Sequence, residues 1–152
     1  MKVTVSSSRK LQGEVLAIAS KSVAHRYLIA AALGDKEVFV HCHSVSEDIL
    51  ATANCLCAMG AEILRKDNGF LVTPIHRDKI DDSLKRLPCN ESGSTIRFLI
   101  PVVAALGING EFLKKGSLVN RPLSPLDEEM AKKDAPLLEK EDGVVAVDGK
   151  LK

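Results

Sequence analysis

Apolar positions along the chain fall into short runs whose spacing alternates between a strand-like period of two and a helical period near 3.6, with Gly, Ser and Asn as punctuation. Val3 and Val5 predict a short strand, Ser6-Ser7-Ser8 a turn, and Gly13 to Ile18 a second extended run leading into the first helix. That helix follows as Tyr27-Leu28-Ile29-Ala30-Ala31-Ala32-Leu33, good helix formers opened by Ser20 as N-cap and stopped at Gly34. Val38-Phe39-Val40 predicts a strand. Ser46, backed by Glu47 and Asp48, predicts a helix start, because carboxylates in the first turn complement the helix dipole. Ile49, Ala53 and Leu56 continue that helix to Met59-Gly60. Ala61 to Leu64 and Phe70 to Val72 then form a hairpin across Asp67-Asn68-Gly69, where Asn-Gly is a strong turn signal.

The second half repeats this order. Leu84 to Cys89 predicts a strand, Ser92 to Leu106 a helix stopped by Gly107, and Phe112-Leu113 a strand. Pro125 to Lys133 predicts a helix, and Leu137 to Glu139 pairs with Val144 to Val147 across Glu141-Asp142-Gly143. The residues correspond at an offset of about 73: Leu33-Gly34 with Leu106-Gly107, Phe39 with Phe112, Lys66-Asp67-Asn68-Gly69 with Lys140-Glu141-Asp142-Gly143. The fold class is therefore α/β (α+β), with two tandem βαβαββ repeats packed as one sheet layer against helices. The expected boundaries are N-terminal strands in 1–19, a first repeat in 20–80 and a second in 81–152. Leu28, Leu33, Ile49, Leu56, Ile100 and Leu106 are expected to be buried, and the Asn68-Gly69 and Asp142-Gly143 turns exposed.

The repeat also doubles one chemical motif. In Ser20-Lys-Ser-Val-Ala-His-Arg26 a strand-like run leads to a helix start, where backbone N–H groups lack intrahelical partners. Lys21 and Ser22 lie there, and Arg26 sits one turn further on, on the face of Ser22. Such N–H groups, a hydroxyl, an ammonium and a guanidinium suit a phosphate or carboxylate. An ordinary capped helix with solvated basic residues presents the same pattern. The second copy has Ser92-Gly93-Ser94-Thr95-Ile96-Arg97 in the equivalent place, Gly93 allowing close approach. Two such clusters in a duplicated fold suggest that both helix ends face one anionic ligand or two neighbouring ones. Arg121, in Asn120-Arg-Pro-Leu123, is a third basic candidate.

Composition narrows the partners. With 152 residues, 45% hydrophobic and 27% charged, the chain can bury a core, which rests on aliphatic residues because aromatics make up 3%. A formal net charge of +1 supplies no field for nucleic acid or an anionic membrane, and no basic tract is interleaved with aromatics. Any anion recognised should be small and locally held. The cysteines Cys42, Cys55, Cys57 and Cys89 form no Cys-x-x-Cys pair and read as apolar filler in a reducing compartment. His41-Cys42-His43 has no obvious third and fourth metal ligand nearby, so no metal is expected. Residues 1–10 lack a signal-peptide core, and no apolar run reaches membrane-spanning length; a cytoplasmic protein is expected.

Several stretches in order carry a resemblance. Leu11-x-Gly-Glu-Val15, Ser20-Lys-Ser-x-x-His-Arg26, Ser46-Glu-Asp48, Glu91-Ser-Gly-Ser-Thr-Ile-Arg-Phe98 and Asn120-Arg-Pro-Leu123 resemble the signatures of the 5-enolpyruvylshikimate-3-phosphate synthases, or 3-phosphoshikimate 1-carboxyvinyltransferases. The resemblance runs from about Lys2 to the C-terminus. It implies a transferase of the shikimate route to aromatic amino acids. This enzyme moves the enolpyruvyl group of phosphoenolpyruvate to the 5-hydroxyl of shikimate 3-phosphate, releasing phosphate, with no organic cofactor. The implied fold has two lobes, each an inside-out α/β barrel of three such units, with substrates in the cleft where helix N-termini point inward. Residues 1–19 would supply strands that cross to the other lobe.

By resemblance, Lys21, Ser22 and Arg26 would hold shikimate 3-phosphate, while Lys21, Gly93 and Arg121 would bind phosphoenolpyruvate. Arg97 would be a supporting charge and Asp48 an acidic position near the cleft. The family's acid and base residues belong to the C-terminal lobe and have no counterpart here, so no catalytic residue is assigned. The chain is expected to be an N-terminal part that binds but does not turn over, as a monomer, with the missing C-terminal part of the enzyme as its partner.

Two departures touch the site: Ile18-Ala19 stands where the family has Pro or Pro-Gly, and Phe98 where some members have Pro. Rival readings are a stand-alone phosphate-binding module without catalysis, and a relative of the UDP-N-acetylglucosamine enolpyruvyl transferases. The latter have Lys-Asn in place of Lys21-Ser22 and lack the His25-Arg26 pair.

Overall fold

The Asn-Gly signal becomes a two-residue turn at Asp67-Asn68 between strands β2 (Glu62–Lys66) and β3 (Gly69–Thr73), with Lys66 paired to Gly69. Gly69 is required there. Its φ is 156°, and a Cβ would lie 2.0 Å from the Val40 carbonyl oxygen of β1 (Val38–His41), so only a bare backbone lets β1 and β3 pair at that end. The computed structural model describes residues 3, 4, 6 and 12–151. Val5 of the expected first strand, Ser7-Ser8 of the expected turn and Leu11 of the opening motif lie outside the described residues.

Helix α1 (Lys21–Ala32) precedes β1, and α2 (Glu47–Ala58) precedes β2. In the second half β4 (Lys85–Asn90) leads into α3 (Gly93–Leu106). Then follow β5 (Gly110–Lys114), α4 (Leu126–Ala131), β6 (Leu137–Glu139) and β7 (Val144–Val147). Capping follows the predicted chemistry. Ser46 accepts a hydrogen bond from the Ile49 amide (3.4 Å), Ser92 from the Thr95 amide (3.3 Å), and Gly107 ends α3 in the left-handed region. Ser20 departs from expectation. It occupies the N-cap of α1, yet its side chain makes no capping bond; its carbonyl alone accepts the Val23 and Ala24 amides.

The single sheet layer expected from the repeat is in fact two sheets, ordered β1-β3-β2 and β4-β5-β7-β6. The shared part has identical wiring. Phe39 faces Leu71 as Phe112 faces Val145, and Ile63 faces Val72 as Leu138 faces Ala146, all antiparallel. Only the second sheet adds a parallel strand, β4, on the outer edge of β5. The equivalent run in the first half, residues 14–20, joins no strand, and Val15, Leu16 and Ile18 are exposed. An apolar run specifies a strand only where a ladder partner is in reach.

The core joins the two sheets and all four of the helices given above, α4 through Met130. Leu28, Leu56, Leu87, Leu99, Ile100 and Phe112 are all fully buried, as is Ile49 to within 1%. α3 survives Pro101 in its interior because Ile96, Leu99, Ile100, Val103 and Ala104 bury its apolar face, offsetting the lost backbone bond. Leu33 and Leu106, expected buried, are half-buried because they sit at equivalent helix ends, where the packed face runs out. Asn68 and Asp142 are exposed as expected, but Gly69 is buried and Gly143 half-buried under the neighbouring chain. Cys55 and Cys89 face each other across the core at 3.9 Å, and their contact with burial pushes the Cys89 thiol far above its ordinary range. Among the described residues, no helix is long and apolar enough to cross a membrane.

Candidate functional site

The four α-helices of the described residues divide by the charge of their first turns. α2 begins with Glu47 and Asp48, and α4 with Asp127, Glu128 and Glu129, as the helix dipole favours. α1 and α3 have no carboxylate in the first turn; α1 opens on Lys21, and each carries an arginine one turn in. Positive charge at a helix N-terminus is unfavourable until an anion arrives. In both helices the arginine folds back on its own first turn. Arg26 donates to the Ser22 carbonyl (2.8 Å), and Arg97 to the Gly93 carbonyl (3.1 Å).

Lys21, Asp48, Gly93, Arg97 and Arg121 line one open cleft of about 460 Å³, together with Glu91, Ser94, Phe98 and Ser117. Lys21 is held across it by Asp48, Nζ to Oδ2 at 2.5 Å, with both side chains partly exposed. Arg97 spans from the Gly93 carbonyl to that of Pro122 (2.9 Å), tying α3 to the segment that carries Arg121. A Cβ on Gly93 would lie 2.7 Å from Arg97 Nη1 and 3.6 Å from Arg121 Nη1. The two guanidinium groups therefore converge on the space that Gly93 leaves bare. Arg121 makes a long contact from Nη2 to Ser117 Oγ, 3.5 Å, and its charge acts on the Glu91 carboxylate.

Ser22 and Arg26 do not line this cleft. A helical step of 100° puts them on a face adjacent to that of Lys21. Arg26 stacks on the ring of Phe98, 5.0 Å from its centroid, so the aromatic wall joins that face to the cleft.

Three cleft residues, Glu91, Ser117 and Phe98, have no site role assigned by pattern reading. Glu91 Oε2 accepts from the Ser117 amide (3.0 Å) and hydroxyl (2.9 Å), which hold its carboxyl below the usual glutamate range. The turn that aims Ser117 relies on Gly116, at φ 51°, where a Cβ would strike the Glu91 carboxylate. Residues 91 and 117 are far apart in sequence, and no local signal links them. Phe98 enters the sequence pattern only as a departure from the family. The His41-Cys42-His43 stretch makes separate contacts: His41 packs on Phe39, Cys42 donates to the Ser44 carbonyl, and His43 Nε2 approaches the Ala17 carbonyl. Among the described residues, no three His, Cys, Asp or Glu side chains gather into a metal-binding group.

With three cations, two carboxylates and the hydroxyls of Ser94 and Ser117, the cleft suits a small polyanion that also carries hydroxyl groups. Comparisons with known proteins bear on which one. The family model described as EPSP synthase (3-phosphoshikimate 1-carboxyvinyltransferase) matches residues 5–149. A 3-phosphoshikimate 1-carboxyvinyltransferase of Clostridium botulinum (strain Eklund 17B / Type B) is 40% identical over 117 residues, covering 75% of this chain and 27% of that protein. Its counterpart in Clostridioides difficile (strain 630) is 31% identical over 152 residues, covering 94% and 35%. The chain thus spans about a third or less of the length of these relatives. An EPSP synthase structure from Acinetobacter baumannii superposes with a TM-score of 0.78 at 22% identity, over 92% of this chain and 32% of that one, which shows a shared fold.

Proposed function

From its membership of the EPSP synthase (3-phosphoshikimate 1-carboxyvinyltransferase) family, to which this chain belongs over residues 5–149, we propose that it is the N-terminal part of such an enzyme and contributes half of its substrate surface. The whole enzyme transfers the enolpyruvyl group of phosphoenolpyruvate to the 5-hydroxyl of shikimate 3-phosphate, in the cytoplasm, on the way to aromatic amino acids. Residues 1–19 supply strands to the other lobe, and units 20–80 and 81–152 build this one. Lys21, Ser22 and Arg26 hold shikimate 3-phosphate at the start of α1. Lys21, Gly93 and Arg121 receive phosphoenolpyruvate, with Arg97 and Asp48 supporting them.

One observation carries this reading: two helix N-termini without a carboxylate in their first turns open beside one cleft with Lys21, Arg97 and Arg121. Electrostatically, both substrates suit it, since each bears a phosphate and phosphoenolpyruvate adds a carboxylate. Proton transfer to the methylene carbon and from the 5-hydroxyl has no agent assigned in this chain. The chain alone is therefore a binder. Shikimate 3-phosphate should bind it with a dissociation constant on the order of millimolar, because an open half-site loses much of each charge-assisted bond to solvent. Shikimate, lacking the phosphate, should not bind measurably over the same range, and both substrates together should release no phosphate. Equal binding of shikimate, or phosphate release that Lys21→Met abolishes, would overturn the proposal.

A further inference from the structure

His25 is fully buried, in the second turn of α1, and its ring meets that of Phe98 in the cleft wall edge-on, centroids 6.2 Å apart. Its Nδ1 lies 2.6 Å from Thr52 Oγ1 of α2. From there a line of hydroxyls continues: Thr52 Oγ1 to Thr95 Oγ1 at 2.7 Å, and Thr95 Oγ1 to Ser92 Oγ at 2.7 Å. Ser92 is the N-cap of α3 and accepts its Thr95 amide. Thr95 Oγ1 also lies 3.3 Å from the Asp48 carbonyl. One buried polar line thus touches the beginnings of all three helices that build the cleft.

The sense of the line follows from its end. The Asp48 carbonyl can only accept, so Thr95 gives its proton there or to Ser92 Oγ, and each threonine has one hydroxyl proton to pass along. An imidazole N–H at Nδ1 that donates to Thr52 lets Thr52 donate to Thr95, and Thr95 to Ser92 or the Asp48 carbonyl. That leaves Nε2 as the unprotonated nitrogen, and Nε2 is one of two buried side-chain polar atoms without a hydrogen-bond partner among the described residues. An unpartnered lone pair costs less than an unpartnered, charged N–H in an apolar site.

We propose that His25 is a positioning residue: through the Thr52–Thr95–Ser92 hydroxyl line and the Phe98 ring, it sets the starts of α1 and α3 in the relative placement the anion cleft needs. It touches no ligand. Burial supports the required neutral form by lowering the imidazole pKa below 6.5, with Lys21 and Arg26 acting in the same direction and Asp48 against. The inference deepens the proposed function and rests on it for the identity of the ligand, but the placement can be read without ligand.

The test uses this chain with ¹⁵N labelling. In the free protein the His25 ring proton should be on Nδ1, coupled to Thr52, and His25→Leu should shift the Gly93 and Ser94 amides although they belong to another helix. With shikimate 3-phosphate as the probe, His25→Leu should weaken binding about tenfold, one buried hydrogen bond's worth. His25→Asn, whose amide N–H can reach the Nδ1 position, should restore most of it. A proton on Nε2, undisturbed Gly93 and Ser94 amides, or equal binding by the Leu and Asn variants would each overturn the proposal. If wild type binds no shikimate 3-phosphate, the functional reading fails while the tautomer and the amide shifts still decide the role of His25. If His25→Leu does not fold, the tautomer and the Asn variant decide it.

Discussion

Replacing Gly93 by alanine separates what this glycine does for the fold from what it does for the cleft. Gly93 has no positive φ, so a helical alanine is allowed there and should stabilise by about 0.4 to 1 kcal/mol through the unfolded chain. The new methyl would sit 2.7 Å from Arg97 Nη1, at the far end of a flexible side chain, so the arginine must move and loses its 3.1 Å bond to the Gly93 carbonyl. A bond to a charged group contributes roughly 1.5 to 3 kcal/mol, reduced to about 1 kcal/mol for a half-exposed arginine. The two effects nearly cancel, and the unfolding temperature should change by no more than about 5 °C. Binding should not be spared. The methyl projects to 3.6 Å from Arg121 Nη1, into the space where an anion would be shared by both guanidinium groups. Loss of one such contact in an open site is about 1 kcal/mol, or roughly fivefold in affinity for phosphoenolpyruvate. Thermal unfolding followed by circular dichroism and a phosphoenolpyruvate titration would be run on the same samples. A collapse of stability, or unchanged affinity with unchanged stability, would show that Gly93 does not serve the cleft in this way.

Phe112→Ala, in the fully buried middle of β5, should cost about 3 to 5 kcal/mol in urea unfolding, whereas Leu64→Ala on exposed β2 should stay within about 0.5 kcal/mol. Because burial lowers the His25 pKa from 6.5, the unfolded chain takes up its proton first and acidification destabilises the fold; the urea midpoint should fall as pH drops through 6.5 toward the lower folded value, and less steeply in His25→Asn. Glu91 is depressed by its bonds from Ser117, so its contribution is present above the ordinary glutamate pKa and lost as pH falls through the folded value; Ser117→Ala should move the carboxyl titration upward, as read by NMR. Asp48→Asn should release Lys21 and raise inorganic phosphate affinity about two- to fivefold, the range expected for a partly exposed pair.

Local chemistry made much of the fold legible. Ser46 and Ser92 cap, Gly107 stops and Asn68-Gly69 turns because each acts within four residues of itself. The repeat then predicted equivalent strand pairing, since residues that match in sequence meet matching neighbours. What failed depended on distant partners. Val15-Leu16-Ala17-Ile18 has the composition of a strand but no ladder, while β4, its counterpart, lies beside β5. The site divides in the same way. Lys21, Gly93 and Arg121 were readable as basic or bare positions near helix starts, and they line one cleft. Glu91 meeting Ser117, Arg26 stacking on Phe98, and His25 joining Thr52 and Thr95 are tertiary contacts that no spacing rule encodes.

If the start of α1 is a phosphate site, an amide-shift titration of this chain with shikimate 3-phosphate will show it. Perturbations should concentrate at Ser20 to Arg26, extending to Gly93 and Arg121. They should weaken in Arg26→Ala and vanish when Lys21 and Arg26 are both replaced. Shifts confined to other surfaces, or a titration that the double replacement leaves unchanged, would contradict a phosphate site there.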